Sequence, residues 1–254
     1  MAAAADSKRL SGKTALVTGG ATGIGQAIAA ALAGEGCRVA IAGRSQEKLQ
    51  KAADQWKQVN PNHENVLVHA CDVADRQSVA ALFDWAADQL GPIDILVNNA
   101  GVNSRTRLMS DMPPETWDKT LSINATGAYN CMYAVLPQMR SRHDGLIVNI
   151  SSIAGKRASL LGGAAYCASK FAIAALSLTV ALEEGKNGIR VTTVYPGEVD
   201  TPILEDRPKP LAPEHRAGIL RPMDVADVVL CIACLPPRAH VAEMIIKPTW
   251  QDFA

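Results

Sequence analysis

Short aliphatic or β-branched runs alternate along this chain with longer stretches in which apolar residues recur at helical spacing. The strand-length runs are TALVT (14–18), CRVAIA (37–42), VLVHA (66–70), IDILVN (93–98), LIVNI (146–150), IRVTTVY (189–195) and EMIIK (243–247). Most are continuous apolar runs rather than strict alternations, the pattern of strands covered on both faces. Between them the spacing predicts helices over 23–33, 46–59, 76–90, 164–184 and 222–234, and one short and one long helix within 115–140. Strand–helix–strand alternation implies an α/β fold, a doubly wound Rossmann-type parallel sheet of about seven strands with helices on both faces. With no internal repeat or composition break, the reading is a single domain over residues 1–254.

One segment departs from the pattern. Residues 200–221, DTPILEDRPKPLAPEHRAGILR, are rich in proline and charge and lack strong periodicity. An irregular stretch this long is either a functional loop or a mobile surface connector. It follows a strand's C-terminal end, where open α/β sheets bind ligands, and this favours a substrate loop.

Composition narrows the partners. Lys plus Arg and Asp plus Glu each number 25, so no electrostatic footprint for nucleic acid or an acidic membrane surface is expected. No uninterrupted apolar run of roughly 18 residues is evident. The N-terminus, MAAAADSKRLSGK, lacks the apolar core of a secretory signal. The six cysteines lie in apolar segments, and Cys231 and Cys234 read as a buried core pair rather than a metal or redox site. The expected location is a reducing cytoplasm.

The first strand runs into Thr18-Gly-Gly-Ala-Thr-Gly-Ile-Gly25. Glycines between a strand and a helix permit a tight turn and close approach of backbone to a pyrophosphate at the helix N-terminus. Gly19, Gly23 and Gly25, with Thr22 and Ile24 between them, are therefore candidate cofactor residues. The second strand ends in Gly43-Arg44, where NAD-binding sheets carry an acidic residue. A guanidinium there can pair with a 2′-phosphate, which favours NADP(H) over NAD(H); the less favoured reading leaves Arg44 on the surface beside Glu47. Asp72-Val73 after the third strand could receive an adenine amino group. Asn98, Ala100 and Gly101 follow the fourth strand; Asn98 serves equally to satisfy strand-end backbone.

Ser152, after the fifth strand, could donate to a substrate carbonyl or simply form a turn. Tyr166 and Lys170 are four residues apart on a predicted helix, hence on one face. At ~4 Å and an effective dielectric near 20, an ammonium favours the phenolate by about 4 kcal/mol, or ~3 pK units. A tyrosine so tuned could exchange a proton near neutrality.

Together these motifs resemble the short-chain dehydrogenase/reductase family. TGGATGIG is similar to its glycine motif, NNAG to its segment after the fourth strand, and YCASK to its YxxxK. Asn124 in SINATG, Ser152, and Pro196-Gly197 with Val199 and Thr201 fall in order at the family's remaining positions. The resemblance implies reversible hydride transfer between NAD(P)H and a carbonyl or alcohol. Tyr166 would serve as general acid or base, and Lys170 would lower its pKa and hold the nicotinamide ribose. Ser152 would orient the carbonyl, Asn124 would help hold a relay water, and Pro196, Gly197, Val199 and Thr201 would lie beside the nicotinamide. It further implies a homodimer or homotetramer.

The C-terminus, VAEMIIKPTWQDFA, is similar to the branch containing bacterial 3-hydroxy acid dehydrogenases. A small hydroxy or keto compound, such as a 3-hydroxy acid, is therefore the leading substrate class. In the 200–221 loop, Arg207, Lys209, His215 and Arg216 could meet a carboxylate, but reading them as solvated charges beside Glu205, Asp206 and Glu214 is preferred. Ile203, Leu204 and Leu211 keep open a carbonyl reductase of lipid, steroid or xenobiotic ketones. A non-catalytic dinucleotide sensor is disfavoured by the intact Asn124, Ser152, Tyr166 and Lys170.

Overall fold

The computed structural model describes residues 8–59 and 66–252. The expectation that the N-terminus carries no leader falls largely on residues 1–7, outside that range.

Seven parallel strands form one sheet: β1 (Thr14–Thr18), β2 (Arg38–Gly43), β3 (Val66–Ala70), β4 (Ile95–Asn98), β5 (Gly145–Ile150), β6 (Ile189–Pro196) and β7 (Glu243–Ile246). Their order across the sheet is β3-β2-β1-β4-β5-β6-β7, so the winding reverses between β1 and β4. The register explains the continuous apolar runs. Val17 lies beside Ile41 and Val97, and Val97 beside Val148; all four enter the core on one face. One residue earlier, Leu16 lies beside Ala40 and Leu96, with Ile147 and Val191 beyond, and that row enters the core on the opposite face. The central strands are largely apolar at successive positions because both faces are covered.

On the first face, α1 (Gly23–Gly34) contributes Ile28 and Leu32, α2 (Gln46–Val59) contributes Leu49 and Trp56, and α8 (Pro222–Ala233) contributes Val225, Val229 and Ile232. On the other, α3 (Arg76–Leu90) contributes Leu82 and Phe83, and α5 (Gly127–Arg142) contributes Met132 and Met139. Val180 comes from α6 (Ala164–Glu184). The stretch expected to hold one short and one long helix resolves into α4 (Pro114–Leu121), a π-helical turn (Ser122–Thr126) and α5. The irregular 200–221 segment contains a 3-10 turn, Pro202–Asp206, and a one-turn helix, α7 (Pro213–Ala217). Each begins at a proline, whose fixed φ suits a first helical position.

Two sequence expectations change. Cys231 is exposed and Cys234 only half-buried, because α8 turns Val225, Val229 and Ile232 to the core and leaves Cys231 on the other face. The helical stretch Ala164–Asn187 is long and apolar enough to cross a membrane by length and composition, with mean hydropathy 1.6. Scattered polar residues hid it in the sequence. It packs on β6 and on the turn after β5, and it buries Ile173, Ser177 and Val180.

Candidate active site

A cavity of about 720 Å³ opens along the C-terminal edge of the sheet, at the point where the winding reverses. Ligands enter open α/β sheets at that position, and the volume suits a small molecule or cofactor. Gly19 and Gly23 line one end and hold φ of +65° and +56°, a left-handed conformation that glycine adopts without strain. A Cβ on Gly19 would come within 2.9 Å of the Ala100 Cα. The Asn99 side chain fixes this loop by donating to the carbonyls of Thr18 and Gly19, each at 3.1 Å. Thr22, Gly23 and Ile24 line the cavity at the N-terminus of α1, whose first N–H groups have no intrahelical partner. Arg44 and Lys48 supply two cations at this end. The second was not singled out from the sequence.

At the other end stand Ser152, Tyr166 and Lys170. The loop carrying Ser152 lies tight against α6. Ser151 Oγ donates to the Lys170 carbonyl at 3.0 Å, and a Cβ on Gly155 would stand 2.6 Å from the same oxygen. Ser152 Oγ accepts from the Ala154 N–H at 3.1 Å, and its hydroxyl lies beside the Tyr166 phenol, whose pKa it lowers. Lys170, 4 % exposed, donates from Nζ to the Ile150 carbonyl at 2.9 Å, and its Nζ lies 5.5 Å from the centre of the Tyr166 ring.

The electrostatics differ from the simple helix-pair expectation. Burial raises the Tyr166 pKa above its ordinary value, while the Ser152 hydrogen bond and the charge of Arg107 pull it back. Burial likewise lowers Lys170 to about 8. Desolvation opposes both charged forms and outweighs the mutual attraction expected from their spacing.

Ala100, Gly101, Pro196, Gly197, Val199 and Thr201 also line the cavity. Five candidates do not. Gly25 is a packing glycine: a Cβ there would lie 2.3 Å from the Gly19 carbonyl oxygen. Asn98 donates to Asn149 Oδ1 at 2.8 Å within the sheet. Asp72 caps its own turn by accepting from the Ala74 N–H, and the Val73 carbonyl accepts from Asn130. Asn124, 1 % exposed, donates to the Val102 carbonyl and Ser169 Oγ, both at 2.9 Å, and accepts from the Val102 N–H at 2.8 Å. Its side chain is thus committed to protein and braces the loop after β4 against α6. Its Oδ1 still stands 3.4 Å, and Lys170 Nζ 3.6 Å, from where a Gly101 Cβ would be.

Of the 200–221 basic residues, Arg207, His215 and Arg216 are paired. Glu198 accepts from Arg207 at 2.7 Å and from His215 at 2.8 Å, and Arg216 meets Asp200 at 2.7 Å. Glu198 is pushed upward by burial and downward by both partners, and the net shift is down. These pairings differ from the expected ones with Glu205, Asp206 and Glu214. Arg207 and Asp206 reach the cavity wall, as do Arg107 and the C-terminal Gln251 and Asp252, none of which has a motif signal.

The family model described as short chain dehydrogenase matches residues 13–211. The chain belongs to the short chain dehydrogenase family. Its oxidoreductase class and Rossmann-type fold follow from that membership. It is 36% identical over 244 residues to "Glycine betaine reductase ATRR" of Emericella nidulans, a match spanning 94% of this chain but 19% of that protein's length. The structure of an alcohol dehydrogenase from Thermococcus sibiricus, complexed with 5-hydroxy-NADP, superposes with a TM-score of 0.85 at 30% identity, covering 94% of this chain and 98% of that one. The closed form of a serine dehydrogenase complexed with NADP+ gives a TM-score of 0.85 at 29% identity, covering 95% and 97%.

Proposed function

We propose that this short-chain dehydrogenase transfers hydride reversibly between NADP(H) and the carbonyl or alcohol of a small hydroxy or keto compound. The observation that carries this reading is the shared cavity: Ser152, Tyr166 and Lys170 at one end, the glycine loop with Arg44 and Lys48 at the other. The left-handed Gly19 and Gly23, and the space a Cβ on Gly19 would fill, fit a dinucleotide held close to backbone. When bound, the nicotinamide supplies hydride.

The chain's own residues do the rest. The α1 N-terminus offers N–H groups to a pyrophosphate, and Arg44 and Lys48 offer charge to a 2′-phosphate. Ser152 donates to the substrate oxygen as negative charge develops there. Tyr166 delivers a proton to that oxygen in reduction and removes it in oxidation. Lys170, protonated near neutrality, stabilises the phenolate and is placed to reach a ribose hydroxyl. Pro196, Gly197, Val199 and Thr201 border the reacting face, with residues 200–221 as the substrate loop. The serine dehydrogenase likeness and the C-terminal resemblance support a 3-hydroxy acid as substrate.

The lining Leu161, Ile203 and Leu204 favour a second reading, reduction of larger apolar ketones. The exposed Tyr129 and Tyr133 on α5 and Phe171, Leu178 and Leu182 on α6 support self-association through these two helices, and the cytoplasm is the proposed location.

The test is a panel of small 3-hydroxy acids, 3-oxo acids and apolar ketones, each assayed with NADP(H) and NAD(H). The expected result is NADP-selective turnover of the small compounds. Exclusive turnover of the apolar ketones favours the second reading, and no turnover with cofactor bound overturns both.

A further inference from the structure

Arg107 is 8 % exposed and lines the cavity. Its guanidinium donates only to backbone carbonyls: Nε to Ser104 at 2.8 Å, Nη2 to Asp206 at 3.0 Å, and Nη1 to Leu161. These three oxygens come from the loop after β4, the 200–221 segment and the loop before α6. Three of its five N–H donors are thereby used. Arg107 belongs to none of the ion pairs among the described residues. The contrast with its neighbour is direct, because Arg207 on the same wall is held by Glu198.

A buried charge without a counter-charge is costly, and carbonyl dipoles offset it only in part. Burial and then the Arg207 charge disfavour the cation, the Tyr166 and Asp206 charges favour it, and the net shift is down. The same field reaches the phenol, whose pKa Arg107 lowers. A planar guanidinium with two spare donors fits a carboxylate in a bidentate pair. Arg207 and Arg216 of the 200–221 segment, by contrast, already meet Glu198 and Asp200.

We propose that Arg107 is the residue that recognises a substrate carboxylate, so that the cavity selects small hydroxy or oxo acids over their neutral counterparts. This rests on the oxidoreductase reading above and names its substrate class. The carboxylate would sit on the free edge of the guanidinium with its carbonyl carbon toward Ser152 and Tyr166.

The test compares matched pairs, each a 3-oxo acid and its methyl ester, with NADPH in the wild type and in Arg107→Met. Losing a buried cation that pairs with an anion reduces affinity about 30-fold or more. The wild type should favour the acid, and the acid-to-ester ratio of kcat/KM should drop by that factor in the variant, mainly through KM. A parallel loss on both members would reduce Arg107 to a tie between loops and overturn the proposal. Should the variant fail to fold, the wild type still decides, because preference for the ester contradicts the proposal. Should no pair turn over, the oxidoreductase reading fails first. Malonate binding to the enzyme–NADPH complex, followed by NADPH fluorescence, then tests Arg107 alone. Saturable binding in the wild type that weakens about 30-fold or more in Arg107→Met supports the proposal; equal or absent binding overturns it.

Discussion

Two charged clusters at opposite ends of the sheet are built in different ways. At the N-terminal edge the charges around Asp94 are matched. Asp94, just before β4, accepts from the Thr14 N–H at 2.9 Å and meets Arg142 at 3.1 Å and Lys13 at 3.5 Å, while Lys13 also meets Asp144 at 3.2 Å. At the C-terminal edge the buried cations Lys170 and Arg107 bond to backbone carbonyls alone. The first end uses its charges to fix three strand starts. The second holds positive charge in reserve beside a cavity, where a ligand can complete it. The matched charges around Asp94 tie strand starts together, whereas Lys170 and Arg107, buried and without a carboxylate partner, border the cavity.

The sharpest way to break this contrast is to remove the group that would use the reserved charge. Tyr166→Phe should lower kcat by about 10²- to 10⁴-fold, the usual contribution of a positioned acid or base, while NADPH titration stays unchanged. Retained turnover would remove the functional meaning of the C-terminal edge.

Removing the reserved charge itself should raise stability. The folded pKa of Lys170, about 8, lies below the ordinary lysine value of 10.5. Below pH 8 both states carry the ammonium and the folded state bears its desolvation in full. As pH rises from 8 to 10.5 the folded state sheds the proton first and the penalty fades. The shift of about 2.5 units corresponds to roughly 3 kcal/mol, reduced by about 1 for the orphaned Ile150 carbonyl. Urea melts should therefore show Lys170→Met more stable than wild type by about 2 kcal/mol at pH 7. The difference should fade and change sign by the upper end of that pH window, where only the orphaned carbonyl remains. A variant less stable at pH 7 would show that Lys170 is matched after all.

At the opposite edge the sign reverses. Asp94→Ala leaves two cations and a backbone N–H without their acceptor and should cost about 2 kcal/mol in the same melts. Its kcat/KM should stay at the wild-type value, and a catalytic defect would couple the two ends. The smallest effect belongs to Arg44→Asp, which should shift the NADP-to-NAD ratio of kcat/KM by about tenfold or more toward NAD. An unmoved ratio would place phosphate recognition on other groups, Lys48 first.

Much of this was legible in the sequence, and the parts that were not share a cause. Strands were readable because two-sided burial makes Val17, Ile41 and Val97 as apolar as their neighbours. Their edges moved by no more than two residues, as where β4 begins at Ile95 rather than Ile93. Gly19, Ser152, Tyr166 and Lys170 were found because their spacing follows local structure. Gly25, Asn98 and Asn124 shared the motifs, yet their side-chain positions are taken up by packing or by bonds to other residues. Arg107 had no signal, since its partners are carbonyls from residues 104, 161 and 206, and only the fold brings these together. The exposure of Cys231 depends on which face α8 presents, and an apolar run such as VVLCIACL does not disclose that.

The central claim is hydride transfer at the C-terminal edge, and isotope tracing tests it most directly. With NADPH deuterated on the transferred face at C4 of the nicotinamide and a reducible 3-oxo acid, mass spectrometry should find one deuterium on the carbinol carbon for each cofactor consumed. Tight NADPH binding with no label in the alcohol product of any carbonyl compound tested, whichever C4 face carries the deuterium, would contradict it.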